Sequence, residues 1–253
     1  MEPSTLAVTR QAEILAITLS RAERLNAINA AMLVDLAAVL DRAARDPELR
    51  VLTITGAGRA FCAGGDLGEL PLGSPADTYH RVSGLMATVM RQIRSLPIPV
   101  LVGLNGVAAG GGASLALAGD IVIAGQGARL VLPWVRMGLT PDWGITRFLP
   151  EIVGPSRAKQ LLWTSATIDA EGMRTLGIAS ELVPDEDLAP TLAERAEELA
   201  TAPRLPVWLT KRLIDDRSGD LASVLEAEAR AQAVATAVLS PESADRRLGE
   251  SRP

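Results

Sequence analysis

Asn105-Gly-Val-Ala-Ala-Gly-Gly-Gly112 is the stretch of this chain that decides its fold. It follows the apolar run Pro99-Val-Leu-Val-Gly-Leu104 and leads into Ala113-Ser-Leu-Ala-Leu-Ala118. That order predicts a buried strand, a turn of nearly bare backbone, and a short helix over Gly111–Ala118. A helix that starts on glycines leaves its first N–H groups unpaired and carries a partial positive charge there. A second glycine run, Phe61-Cys-Ala-Gly-Gly-Asp-Leu67, stands shortly after another short apolar strand, Arg50 to Thr55. Taken singly, each run reads as an ordinary tight turn, because glycine tolerates positive φ. Taken together, on neighbouring strands, they can direct two N–H groups at one developing oxyanion. Removing one such donor typically costs about 2.7–4 kcal/mol of transition-state stabilisation. The nearby Gly56-Ala-Gly58-Arg-Ala-Phe61 imitates a dinucleotide fingerprint, but it lacks the third small residue and opens no helix. There is no phosphate-binding GxxxxGK[ST] and no GxSxG nucleophile turn.

Outward from these loops the pattern is α/β. Leu6 to Leu19 alternates as one or two strands, and Asn29 to Arg45 is an amphipathic helix stopped at Asp46-Pro47. Asp77 to Leu96 reads as a second such helix, closed by Pro97. Asp120 to Ala124 and Leu130 to Leu132 read as strands. From Glu151 onward the reading is nearly all helical, with segments at 155–165, 169–176, 187–201, 205–216 and 220–239. The last of these carries apolar residues at 221, 224, 225, 234 and 238, which suit either an interface or plain packing. The final ten residues are polar and are expected to fray.

Composition closes other doors. The chain has 253 residues and a net charge of −5, which argues against a nucleic-acid partner. Residues 181–253 carry a net −6, so the body is nearly neutral. A single cysteine, Cys62, forms no internal disulfide, and with one histidine, His80, the chain offers no familiar zinc ligand set. Chemistry must therefore come from carboxylates, hydroxyls and backbone N–H groups. Only seven residues are aromatic, so the core must be aliphatic. No uncharged apolar run of about 18 residues suggests a membrane span, and the start lacks the form of a signal peptide. A cytoplasmic protein is the expectation.

Arg24-Leu-Asn-Ala-Ile28, FCAGGDL (61–67), NGVAAGGG (105–112) with the Gly119–Ala124 strand, and GLTPDWG (138–144) together resemble the crotonase superfamily, the enoyl-CoA hydratase/isomerase family. The likeness spans nearly the whole chain. It implies a spiral of β-β-α units over residues 1–195 and a C-terminal helical assembly region over 196–253. It implies a homotrimer or a dimer of trimers, and an acyl-CoA thioester as ligand. Coenzyme A would then be part of the substrate, with no separate cofactor and no metal. By the same resemblance, Gly65 and Gly111 supply the two oxyanion N–H groups. The coenzyme A lies along Arg24, Ala27, Ala63, Asp66 and Leu67, and Lys211 is placed for a phosphate contact. Lys211 reads equally well as a solvated helix residue.

The chain departs from the hydratases where they keep two glutamates. One position, three residues past the second oxyanion glycine, is Ser114; the other, eight residues before the aspartate of GLTPD, is Trp134. Neither side chain can act as a carboxylate base near pH 7, so simple hydration is disfavoured. Asp142 remains, and its position resembles the acid/base of Asp-dependent acyl-CoA isomerases such as the epoxyphenylacetyl-CoA isomerases. An isolated Asp titrates at about 3.9; lodged beside Trp134 and Trp143 it should lose solvation and become a better base. Two readings of Asp142 stand: catalyst, or cap of the following helix. Trp134 either shapes the acyl pocket or is plain core, and the resemblance counts Ser114 with it among the substrate-binding residues. The leading function is an enoyl-CoA isomerase working through a stabilised enolate. The alternatives are an acyl-CoA-binding protein without turnover, and a thioester hydrolase or dehalogenase with Asp142 as nucleophile. The dehalogenase reading needs a histidine where Ala87 stands, and His80 reads as a surface residue. The acyl pocket is expected to be shaped by residues 70–90.

Overall fold

A computed structural model describes residues 5–69, 74–216 and 218–239. Part of the expected pocket stretch, 70–73, and the polar last ten residues lie outside them. The chain begins with a hairpin, β1 (Leu6–Gln11) and β2 (Ile14–Leu19). Helix α1 (Ala30–Arg45) follows. The Asn29 side chain caps it by accepting the Met32 N–H at 2.9 Å. Its apolar positions Met32, Leu33, Leu36, Val39 and Leu40 are all buried, as the spacing predicts.

The next strands come in pairs, one long and one short, each pair followed by helix. The first is β3 (Val51–Gly56) and β4 (Ala60–Cys62), then α2 (Pro75–Arg81) and α3 (Ala87–Ser95). The second is β5 (Val100–Leu104) and β6 (Val107–Ala109), then α4 (Gly111–Ala118). The third is β7 (Ile121–Gly125) and β8 (Arg129–Val131), then α5 (Ile145–Val153) and α6 (Pro155–Trp163). Strand β9 (Thr167–Asp169), helix α7 (Ala170–Thr175), strand β10 (Glu181–Val183) and helix α8 (Leu188–Ala200) complete this unit. The long strands build one sheet in the order β1-β2-β3-β5-β7-β10, parallel except for the first hairpin. The short strands build a second sheet, β4-β6-β8-β9, with only the β8/β9 pair antiparallel. Helix α1, the α2–α3 pair and helix α4 are the crossovers that the parallel pairs β2/β3, β3/β5 and β5/β7 need.

Neighbouring residues of the central strands point into different layers, as the two-residue strand period requires. Val51, Leu101 and Ile123 pack with Leu188, Leu192 and Ala196 of α8. Leu52, Val102 and Val122 belong to the main core with Leu36, Leu40 and Ile93. Burying each such side chain contributes about 1.5–3 kcal/mol. Helix α8 approaches so closely that a Cβ on Gly103 would stand 2.8 Å from the Leu192 Cδ2.

Two expectations are corrected. The region after Glu151 is not all helix, since β9 and β10 lie within it. Each is three residues long, too short to show a period. The helix expected over 77–96 is broken: α2 and α3 are joined by a wide π-type turn, Val82–Met86, in which Gly84 leaves helical geometry at ψ −115°. Glycine is the residue that tolerates this most easily.

The first compact unit ends at Thr201; the division expected at 195/196 falls inside α8. The second unit, from Ala202, holds α9 (Arg204–Asp215) and α10 (Leu221–Ala237) packed on each other. On and just after α10, Leu221, Val224, Leu225, Val234 and Val238 are all exposed. Among the described residues no helix is long and apolar enough to cross a membrane.

Candidate active site

The site is assembled from the two glycine loops and the segment before α5. After β4 the chain is laced to residues 25–28. The Ala63 N–H donates to the Leu25 carbonyl at 2.9 Å, Ile28 N–H to Gly64 at 2.7 Å, and Asp66 N–H to Ile28 at 2.9 Å. This lacing passes over Gly65, whose own N–H meets no acceptor among the described residues.

Helix α4 begins alongside. The Gly110 N–H donates to the Val131 carbonyl, and Ser114 N–H to Gly110 at 3.1 Å opens the helical ladder. Gly111, the first helical residue, donates to no acceptor among the described residues. The two loops meet backbone to backbone. A Cβ on Gly64 would lie 2.7 Å from the Ala109 carbonyl oxygen and 3.4 Å from the Gly111 nitrogen. A Cβ on Gly112 would lie 2.2 Å from the Cys62 carbonyl oxygen. Side chains at either position would push the two loops apart. The helix start adds partial positive charge beside both N–H groups.

Asp142 is half-buried and held at both ends. Its Oδ1 accepts the Trp134 indole N–H at 2.9 Å, and its backbone carbonyl accepts the Ser114 hydroxyl at 3.0 Å. Trp134 is 5% exposed and Ser114 fully buried. Trp143, next in the chain, is also buried, and its indole packs on Gly111. A carboxylate, an indole clamp and two N–H groups without an acceptor among the described residues, one of them at a helix start, can support acid/base or nucleophilic chemistry on a carbonyl compound.

A family model described as enoyl-CoA hydratase/isomerase matches residues 9–247. The chain belongs to the enoyl-CoA hydratase/isomerase family. The 1,2-epoxyphenylacetyl-CoA isomerase of Escherichia coli (strain K12) is 41% identical over 205 residues, covering 80% of this chain and 78% of that one. A probable enoyl-CoA hydratase of Rhodobacter capsulatus is 41% identical over 218 residues, covering 85% and 83%. Among solved structures, an enoyl-CoA hydratase from Bacillus anthracis superposes with a TM-score of 0.92 at 31% identity, covering 98% of this chain and 97% of that one. The expected crotonase fold, an α/β spiral with C-terminal helices, is therefore the fold observed.

Within this family member, the sequence-predicted residues fall into three groups. Gly65, Gly111, Ser114, Trp134 and Asp142 come together as described. Arg24, Ala63 and Leu67 are exposed, with Ala27 partly so, and hydrogen bonds between the 24–28 and 62–66 segments hold them as neighbours. Leu67 is 64% exposed, a large apolar side chain open to solvent. Asp66 has structural work: its Oδ2 accepts both Arg21 guanidinium nitrogens at 3.1 Å and its Oδ1 accepts the Gly68 N–H. The Arg21 hydrogen bonds hold its carboxyl below the usual range. Lys211 stands on α9, in the second unit.

Two readings of Asp142 are revised. Gly144, at φ +87°, occupies the cap of α5, and no side chain bonds there, so Asp142 does not cap that helix. Asp142 as a whole residue is also only half-buried, so its two tryptophan neighbours do not enclose it fully. Asp120, although exposed, accepts the Val100 N–H at 2.8 Å, and His80 is exposed on α2, a surface residue as expected. Burial pushes the Cys62 thiol up to about 12, consistent with packing.

Sequence reasoning missed Asn26. It is fully buried at φ +56°, donates to the Ala57 and Ala60 carbonyls at 2.9 and 2.8 Å, and accepts the Arg21 N–H at 2.9 Å. It fixes the loop that laces Gly65. An Asn between apolar neighbours in Leu25-Asn-Ala-Ile28 is the signal that could have found it, since Asn is among the few residues that adopt a left-handed turn.

Proposed function

We propose that this protein is an acyl-CoA isomerase in which Asp142 is the single acid/base and Gly65 and Gly111 hold the thioester oxygen. The observation that carries this is the clamp on Asp142. Both positions that hold glutamates in the hydratases hold side chains that bind Asp142 instead. Ser114 fixes its backbone and Trp134 one carboxylate oxygen. The proposed cycle balances with one group. The carboxylate takes a proton from one carbon next to the double-bond system, so a C–H bond breaks and an O–H bond forms. The electron pair moves onto the thioester oxygen, where two N–H donors stabilise the enolate. The enolate collapses with the double bond moved, and the same proton is delivered to another carbon.

Coenzyme A is part of the substrate in this reading. The exposed Arg24, Ala63 and Leu67, with Ala27, supply its contact surface, and Arg21–Asp66 holds that surface in place. Lys211 remains a candidate for the phosphates. The exposed apolar side chains of α10 suit assembly as a trimer or a dimer of trimers. The cytoplasm is the proposed compartment.

A second reading is supported by the Trp134–Asp142 hydrogen bond, which would equally orient an aspartate nucleophile in a thioester hydrolase or dehalogenase. The residue at the activating position is Ala87, and His80 is exposed and packs edge-on against Tyr79, so that reading has no histidine assigned to it. The test is a panel of acyl-CoA thioesters in deuterium oxide. The isomerase reading expects α- or γ-proton exchange with at least one of them. Binding of the panel without exchange would favour a non-catalytic protein, and heavy oxygen trapped in Asp142 during single turnover in labelled water would favour the nucleophile.

A further inference from the structure

Trp143 stands at φ +57°, in the left-handed region that a bulky side chain rarely adopts. It is 6% exposed. A Cβ on Gly111 would lie 3.1 Å from its Cδ2 and Cε3 and 3.2 Å from its Cε2, so the six-membered half of the indole rests on the first residue of α4. The flanking residues hold this turn. The Asp142 carbonyl is bound by Ser114, and Gly144 is also left-handed, with no room for a Cβ against the Phe148 ring at 2.8 Å. Strain of this kind persists only where the surroundings over-determine it, and it gathers at functional positions. Here it delivers an apolar ring to the Cβ side of Gly111, the residue whose backbone N–H has no acceptor among the described residues.

We propose that Trp143 is a positioning residue: its indole keeps water from the Gly111 N–H and so strengthens that donor toward the thioester oxygen. The proposal rests on the oxyanion role given to Gly65 and Gly111 above. A donor that water cannot reach acts in a lower dielectric and needs no reorganisation when charge develops. Without the ring, water hydrates the N–H and competes with the thioester oxygen. The ring touches the α4 backbone, so its effect on the reaction passes through that donor.

The test reads polarisation directly. Binding of a conjugated thioester such as 2,4-hexadienoyl-CoA should red-shift its ultraviolet band, because the donors pull charge onto the carbonyl oxygen. Wild type should show the shift, W143F should keep most of it, W143L less, and W143A little, while Kd for the thioester changes little. Turnover of W143A should fall about tenfold, short of the 10²–10³ for deleting a donor outright. A folded W143A with the wild-type shift overturns the proposal. If W143A does not fold by circular dichroism, W143L decides, and an undiminished shift there overturns it. A wild-type protein that binds the thioester with no shift overturns the oxyanion reading and this proposal with it. A wild-type shift that W143A loses, without isomerase turnover, contradicts the isomerase and upholds Trp143.

Discussion

Replacing Trp134 by Phe removes one hydrogen bond and keeps an aromatic ring in a buried position. The bond lost is the 2.9 Å contact from the indole N–H to Asp142 Oδ1. Hydrogen bonds to charged groups contribute about 1.5–3 kcal/mol. At about 1.4 kcal/mol per factor of ten, the full range is a ~10–150-fold loss in rate. Asp142 is half-buried, so water takes over part of the donor's task, and the lower end is expected, about tenfold. The loss should fall on kcat. The carboxylate orients the proton transfer, whereas the coenzyme A surface around Arg24, Ala63 and Leu67 is untouched, so KM should move little. The assay is steady-state isomerisation of whichever thioester exchanges fastest, with thermal melting as a check on folding. A folded Trp134→Phe protein with wild-type kcat would refute the claim that Trp134 orients the base.

Gly112→Ala should prevent assembly of the site, because its Cβ would stand 2.2 Å from the Cys62 carbonyl oxygen; a fall in melting temperature and lost thioester binding are the readouts. Cys62 is buried with its thiol pushed up to about 12, so Ellman's reagent at pH 8 should label it only after denaturation. Asp66→Asn should destabilise most near neutral pH. The Arg21 partner lowers the folded-state pKa of Asp66 below its ordinary 3.8, so its contribution is present above that value and is lost as pH falls through the folded one. Urea unfolding of both proteins at pH 7 and pH 3 should show the difference shrinking at the lower pH.

The parts of the fold that follow local rules were legible in the sequence. Helix α1 shows its buried stripe, and α4 runs over Gly111–Ala118 as its glycine start predicts. The strands β5 and β7 are continuous apolar runs and β3 is one broken only by Thr53 and Thr55, as suits strands covered on both faces. Of the short strands only β8 was legible, one residue out of register with the reading over Leu130–Leu132. β4 and β6 lie inside or beside the glycine motifs, and what makes them strands is pairing with a distant partner, Ala60 with Val107 and Cys62 with Ala108. The same holds for β9 and β10. At the site, the residue types at 65, 111, 114, 134 and 142 could be read, but not their couplings. That Ser114 and Trp134 bind Asp142 depends on α4, the segment before α5 and the turn after β8 meeting in space. The left-handed backbone of Trp143 has no sequence signal, since nothing in its type predicts it.

The most direct test is Asp142→Asn. The amide oxygen of Asn can still accept the Trp134 indole N–H, and the Ser114 bond is to the backbone, so the clamp survives while the base is gone. Deuterium exchange into bound acyl-CoA, with binding measured in parallel, separates the two. The proposal expects unchanged affinity and exchange slowed ~10²–10⁴-fold, the usual contribution of a general base. An Asp142→Asn protein that exchanges the proton at the wild-type rate would contradict it.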